Sequence, residues 1–403
     1  MSRAPRIGLL ASSLRGYNTL DGGIGAHFAD LAVALAAEGV AVTVITPSPE
    51  LGATAREADL AGIDIVPFSF PLPRWLDRLA GLRWRLHTAV SRRWKIRAAS
   101  TELLAAHRLR SFDCVETSST GALALGALAA RDRPPLVVRV STTADQLVSH
   151  NGGQPGWHDR LEQAWELRLV RGAERVITHT PGHRDEICAR WGLEPATVAV
   201  VPHGIALPPA HEVPPPVARP VRFLFVGRFE HRKGIDVLLA AIPQVLAAEP
   251  DVHFTLAGLD TGNRGRDVFL SQNPRLREHV DFAGRLDATA LRAAYRSCDV
   301  FVAPSRYESF GLTYVEAMAW AKPVLGCRAG GVPDVVIDET TGLLVPPGDT
   351  PALTAALLRL ARDPALRARL GSAARADVDA RFSRQTLARA SLAVYRATSP
   401  ATP

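Results

Sequence analysis

Short, unbroken runs of Val, Ile, Leu and Phe recur along this chain, each followed by Gly or Ser and then by a helical pattern. They include RIGLLAS, AVTVITP, DCVETSS, PLVVRVS and ERVITHT, and later VRFLFVG, HFTLAG, VDFAG, VFVAPS and PVLGC. A strand with one wet face alternates apolar and polar residues, so continuous runs mean strands buried on both sides. Helices such as HFADLAVALAAEG, GIDVLLAAIPQVLA and TYVEAMAWA supply the crossovers of parallel sheets. The alternation stops once, at 206 to 220, where six prolines in fifteen residues cannot sustain a helix or a central strand. We therefore expect an α/β protein of two Rossmann-like, doubly wound domains facing across a cleft. Residues 1–205 form the first, 206–220 a linker and 221–380 the second. A C-terminal helix and tail, 381–403, returns to the first domain. Asp349 or Thr350 is the expected cap of the helix DTPALTAALLRLARD, and Ser383 that of the last helix.

Length agrees, since 403 residues exceed one domain of roughly 150. With 47% hydrophobic and 22% charged residues the chain reads as globular, and no apolar run nears the roughly 20 residues that span a bilayer. The first strand-like run starts within six residues, which predicts no signal peptide and a cytoplasmic protein. The net charge of +7 is local. Residues 71 to 110 hold ten Arg or Lys against Asp77 and Glu102, so no nucleic-acid partner is expected. Cys114, Cys188, Cys298 and Cys327 are too scattered for a metal knuckle or redox pair and read as buried free thiols.

In doubly wound sheets ligands sit beyond the carboxyl ends of the strands, where helix N-termini offer free N–H groups to anions. The strongest motif there is APSRYESFGLTYVEAMAWAKPVLG, 303 to 326. Phe310-Gly311 permits a tight turn, and a helix runs from about Leu312 until Lys322-Pro323. Glu308 and Glu316 flank that junction and suit sugar hydroxyls on either side of a phosphate. The bland alternative makes Ser305 and Glu308 a capping box and turns Glu316 to water. In FVGRFEHRKG, Arg228 and Lys233 follow a strand and precede a helix, so they converge on a diphosphate or remain solvated surface cations. GCRAGGVPDVV places Gly330 and Gly331 at a further helix start. DGGIGAH, with Gly23, is a glycine loop before a helix, but it lacks the Gly-x-Gly-x-x-Gly spacing of a nicotinamide site.

Together GGIG, VVPHGI, FVGRFEHRKG, HFTLAG, VDFAGRL, the Glu308-to-Glu316 motif and GGVPDVV with TGLLVPPGD resemble the retaining nucleotide-sugar glycosyltransferases of the GT-B fold, family 4-like, group 1. The resemblance implies a UDP- or GDP-hexose donor in the second domain. Arg228 and Lys233 then meet its diphosphate, Glu316 its ribose, and Glu308 with the amides of Phe310, Gly311 and Leu312 the sugar and phosphate. Gly23, Gly330 and Gly331 complete the donor site. The acceptor, a carbohydrate, lipid-linked or small-molecule hydroxyl, lies on the first domain. No cofactor or metal is implied, and the hydroxyl attacks from the leaving-group side, its proton passing to the departing phosphate.

Two departures stand out. Where family members often carry a His after the strand PLVVRVS, this chain has Arg139, Ser141 and Thr142, leaving Arg139 or His27 to stand in. His203 of VVPHGI replaces a more usual Asn and reads as structural. Competing functions are a catalytically silent sugar-nucleotide-binding module and a same-fold epimerase or phosphorylase. Outside the basic segment the chain has only Lys233 and Lys322, both absorbed by motifs, so a pyridoxal-bearing phosphorylase lacks its lysine. Residues 72–97 form an amphipathic pattern with Trp75, Trp84 and Trp94. It suits either a peripheral contact with an anionic membrane or a helix packed on the first sheet.

Overall fold

The computed structural model describes residues 3–15, 17–18, 23–49, 60–71, 84–214, 220–260 and 265–398. The first sheet has seven strands: β1 (Arg6–Leu10), β2 (Ala41–Pro47), β3 (Asp64–Phe68), β4 (Cys114–Ser118), β5 (Leu136–Arg139), β6 (Arg175–Thr178) and β7 (Val198–Val200). Their order is β3-β2-β1-β4-β5-β6-β7, every pairing parallel. The second has six: β8 (Val221–Val226), β9 (Val252–Ala257), β10 (Val280–Gly284), β11 (Val300–Val302), β12 (Val324–Cys327) and β13 (Gly342–Val345), ordered β10-β9-β8-β11-β12-β13 and also parallel. Apolar clusters cover both faces of each sheet, which is why the central strands read as unbroken hydrophobic runs.

The sequence reading missed β3 and β7, both edge strands. β7 has only three residues and β3 carries Pro67, which leaves little pattern to detect, and an edge tolerates a proline that a central strand does not. The expected cap at Asp349 is present, its carboxylate accepting from Ala352 N at 2.8 Å. Ser383 Oγ accepts from Thr386 N at the start of helix Arg384–Thr398.

The strand order of each sheet reverses once, between β1 and β4 and between β8 and β11. Helix Gly23–Ala37 leaves the first switch point, and helix Leu312–Ala319 follows β11 at the second. These two N-termini face each other: a Cβ added to Gly23 would lie 3.8 Å from Leu312 Cδ1. The chain passes between the sheets twice in one place, where Ile205 N donates to Phe382 O at 2.9 Å and Arg384 N to Ile205 O at 3.1 Å. Helix Arg384–Thr398 then packs Leu387, Leu392 and Tyr395 into the core of the first sheet.

Residues 72–83 of the basic segment lie outside the described residues. The rest belongs to helix Trp84–Arg110, which buries Ile96, Ala99, Leu103 and Ala106 against the first sheet while Arg93, Trp94 and Arg97 stay exposed. Among the described residues no helix is long and apolar enough to cross a membrane. All four cysteines are free and buried, and burial pushes the thiols of Cys298 and Cys327 up to about 12.

Candidate active site

The loop leaving β11 carries Glu308 into a cluster of cations. Its Oε1 accepts from Lys233 Nζ at 2.6 Å and from Ser305 Oγ at 2.9 Å, and Arg232 Nη1 lies 3.3 Å from Oε2. Arg232 also reaches Glu230 Oε1 at 2.8 Å, and Arg228 meets the same oxygen at 3.2 Å. Burial opposes ionisation of Glu308, but Lys233 and Arg232 outweigh it and hold its pKa below the usual carboxylate range. The Ser305–Glu308 contact is therefore not a capping box. Helix Leu312–Ala319 starts after Gly311, and both side chains belong to the ion cluster.

Gly311 stands at φ +92°, and a Cβ there would come 2.5 Å from the Tyr314 ring, so the turn requires glycine. Among the described residues, the N–H groups of Phe310, Gly311 and Leu312 meet no protein acceptor. Three donors at a helix start form an anion cradle. The Phe310 side chain itself is buried, its ring 4.9 Å from His203 and 5.6 Å from Phe382.

Gly330 and Gly331 stand behind the loop and line neither of the two cavities described below. Gly331 N donates to Glu308 O at 2.7 Å, and a Cβ on Gly331 would lie 2.4 Å from Ser309 O. Their glycines allow this backbone approach, and the helix they open, Val332–Val335, is a single turn. Asp334 accepts from Gly182 N of the first domain at 2.8 Å.

Two cavities meet at these groups. One, of about 370 Å³, is lined by Gly23, Arg228, Lys233, Glu308, Phe310 and Gly311, with the first-domain side chains described below. The other, of about 580 Å³, shares Gly23, Arg228, Lys233 and Leu312 and extends to Arg15, Leu286 and Glu316. They read as one groove between the switch points. Glu316 accepts from Tyr295 OH at 2.7 Å, and burial raises its pKa against that hydrogen bond. It faces the groove and not bulk water.

The opposite wall is built from histidines. His203 and His27 approach at Nδ1···Nδ1 2.8 Å, and His179 stacks on His203 with ring centroids 3.8 Å apart. Burial keeps all three below the ordinary histidine pKa, reinforced at His27 by Arg139. Arg139 is 1% exposed and spends its donors on Glu116, at 2.7 Å from Nε, and on Val201 O at 2.8 Å. Tyr395 OH completes Glu116 at 2.7 Å. Arg139 and His27 are thus held in place by Glu116 and His203, and both still line the cavity of about 370 Å³. His179, at the end of β6, lies 3.4 Å from Ser141 Oγ and its Nδ1 has no partner among the described residues. His203, expected to be structural, lines the same cavity. Sequence reasoning missed His179 and Arg232. The His in ERVITHT and the middle cation of EHRKG were their available signals.

Direct bonds join the walls: Thr142 Oγ1 donates to Ser309 Oγ at 3.1 Å, Thr180 Oγ1 to Ser309 O at 3.3 Å, and Gln146 Nε2 to Tyr307 OH at 2.8 Å. Among the described residues no group of three or more His, Cys, Asp or Glu is arranged to hold a metal ion.

Two parallel α/β domains that close a cationic, amide-lined groove between their switch points define the class of the GT-B proteins. The family model for glycosyl transferases group 1 matches residues 210–377, and that for glycosyltransferase family 4 matches 21–207. A D-inositol 3-phosphate glycosyltransferase of Arthrobacter sp. (strain FB24) is 30% identical over 374 residues, covering 88% of this chain and 85% of that protein. The chain belongs to this glycosyltransferase family. A glycogen synthase of Mycobacterium tuberculosis is 34% identical over 266 residues; that match covers 65% of this chain and spans 63% of the synthase's length. Among solved structures, sucrose-phosphate synthase from Thermosynechococcus elongatus superposes with TM-score 0.76 at 26% identity, covering 98% of both chains. Anabaena HepE in complex with UDP and glucose gives 0.70 at 21%, covering 98% of this chain and 100% of HepE, a likeness of fold.

Proposed function

We propose that this protein is a retaining, metal-independent glycosyltransferase that moves a hexose from a UDP- or GDP-linked donor to an acceptor hydroxyl on a glycan, glycolipid or small molecule. The observation that carries this reading is the set of Lys233 and Arg232 on Glu308, with Arg228 beside them on Glu230, in one groove with three amides that meet no acceptor among the described residues. Cleavage of the bond between the anomeric carbon and the diphosphate oxygen leaves negative charge on the phosphate and positive charge on the sugar. Arg228 and Lys233 with the amides of Phe310, Gly311 and Leu312 take up the first. Glu308 holds the cations in place and faces the sugar, and Glu316 takes the ribose hydroxyls. The acceptor oxygen forms the new bond on the face the diphosphate leaves, and its proton passes to the departing phosphate oxygen. Three fixed cations do the work of a metal ion, which favours metal independence. HepE's bound UDP supports a uridine donor. Exposed Trp94, Arg93 and Arg97 on helix Trp84–Arg110 support a cytoplasmic enzyme that touches an anionic inner membrane surface and draws its acceptor from there.

Incubating the chain with radiolabelled UDP-glucose or GDP-mannose in EDTA, and reading the product's anomeric configuration by NMR, tests this. Transfer with retention is expected. Inversion or loss of transfer in EDTA overturns the mechanism, and donor binding without transfer favours a silent sugar-nucleotide module.

A further inference from the structure

A cavity of about 340 Å³ opens at the amino ends of the second sheet's strands, on the rim away from Glu308. Asp299 and Lys322-Pro323, which lead into β11 and β12, form one side of it. Arg367 and Arg375 of helix Pro364–Arg381 form the other. Lys322 is 6% exposed, yet among the described residues its ammonium has neither a hydrogen bond nor an ion pair. Its nearest acidic neighbour is already spent: Asp299 Oδ2 takes Arg222 N at 2.8 Å and Nε at 3.1 Å, and Oδ1 takes Nη2 at 3.3 Å. Arg375 is held by Pro208 O at 3.1 Å, by Ala319 O and by Asp379, and Arg367 by Leu360 O at 2.6 Å. Three fixed cations thus line the space, Arg375 already paired with Asp379 outside it, and the one carboxylate in the lining is taken by Arg222.

Most of the Lys322 side chain is buried while its ammonium opens onto the cavity, and burial lowers its pKa although Cys298 and Asp299 oppose this. An anion in the cavity gives that ammonium a counter-charge. A phosphate fits best, because its several oxygens accept from the ammonium and from guanidinium forks at once. Val213, Pro214 and Ala368 add an apolar patch for a carbon body, and the volume falls within the usual range of small-molecule sites. We propose that this cavity binds a small phosphomonoester, its phosphate on Lys322 with Arg367 and Arg375 beside it, at a site separate from the sugar-transfer groove.

The chain has three lysines, Lys95, Lys233 and Lys322, so acetylation by acetic anhydride followed by peptide mapping reports each separately. The full chain is labelled with rising inorganic phosphate or glycerol 3-phosphate, with chloride at matched ionic strength as the control. The expected result is saturable protection of Lys322, about tenfold at ten times the half-protecting concentration, with Lys95 unchanged. Tighter protection by glycerol 3-phosphate identifies an organic ester, and equal protection identifies free phosphate; both support the site. Protection should fall at least severalfold in Arg375→Gln. An unprotected Lys322, equal protection by chloride, or full protection retained in Arg375→Gln overturns the proposal. Should that variant not fold, labelling of the wild-type chain decides alone.

Discussion

On the second-domain wall of the groove the cations Arg228 and Lys233 reach the opening, whereas on the first-domain wall the pair of Glu116 and Arg139 is almost wholly enclosed. Arg228 keeps half of its side chain exposed and Lys233 about a sixth, while Glu116 and Arg139 expose almost nothing. Neutral, stacked histidines cover that buried pair. The difference separates two kinds of work. In the proposed function a ligand's phosphate completes the charge on the second wall, so its worth should appear in binding and turnover. Charge on the first wall is complete already, with Tyr395 of the last helix as its final donor, so its worth appears in stability.

Breaking the buried pair should give the largest effect. Arg139→Leu leaves Glu116 uncompensated and is expected to cost about 3–5 kcal/mol of folding free energy, read as a large fall in melting temperature. An unchanged melting temperature would erase the contrast between the walls. Arg228→Ala or Lys233→Ala should instead lower transfer by roughly a hundredfold or more, the loss typical of one oxyanion-type contact. For the exposed Arg228 the melting temperature should stay near wild type; wild-type turnover in either variant removes these side chains from the site.

The histidines sharpen the comparison through pH. Their folded pKa values lie below the unfolded value of about 6.5, so below that pH the unfolded chain binds protons that the folded chain refuses. Stability is full above that value and is lost as pH falls below it. Glu166, which burial pushes to about 8, tilts the other way. The readout is therefore the difference between wild type and His179→Asn in melting temperature from pH 7.5 to 5.5. The variant should lose less, and parallel curves would contradict this. Smallest is the bridge between the walls: Ser309→Ala removes the partner of Thr142 and should cost about 1 kcal/mol, a fewfold rise in KM for donor.

What the sequence disclosed follows how local each feature is. Central strands buried on both faces stand out as apolar runs, and Glu308, Gly311 and Glu316 share one loop and helix, so their neighbourhood is written in consecutive residues. His27 lies on helix Gly23–Ala37, and His179 and His203 follow β6 and β7, so the three meet only once the sheet is ordered and no short pattern joins them. Gly330 and Gly331 pack against the backbone of the Glu308 loop, and a glycine that admits a ligand and one that admits another backbone look alike in sequence. Arg139 carried no sign of its partner, since Glu116 lies on the adjoining strand and Tyr395 near the far end of the chain.

Calorimetric titration of UDP into three chains in EDTA, the wild type, Lys233→Met and His179→Asn, tests the division between the walls most directly. Wild type and His179→Asn should bind UDP alike, and Lys233→Met should bind roughly ten- to a hundredfold more weakly, as the loss of a charged hydrogen bond requires. UDP binding that survives Lys233→Met unchanged, or that falls as far in His179→Asn, would show that the cationic wall does not hold the diphosphate.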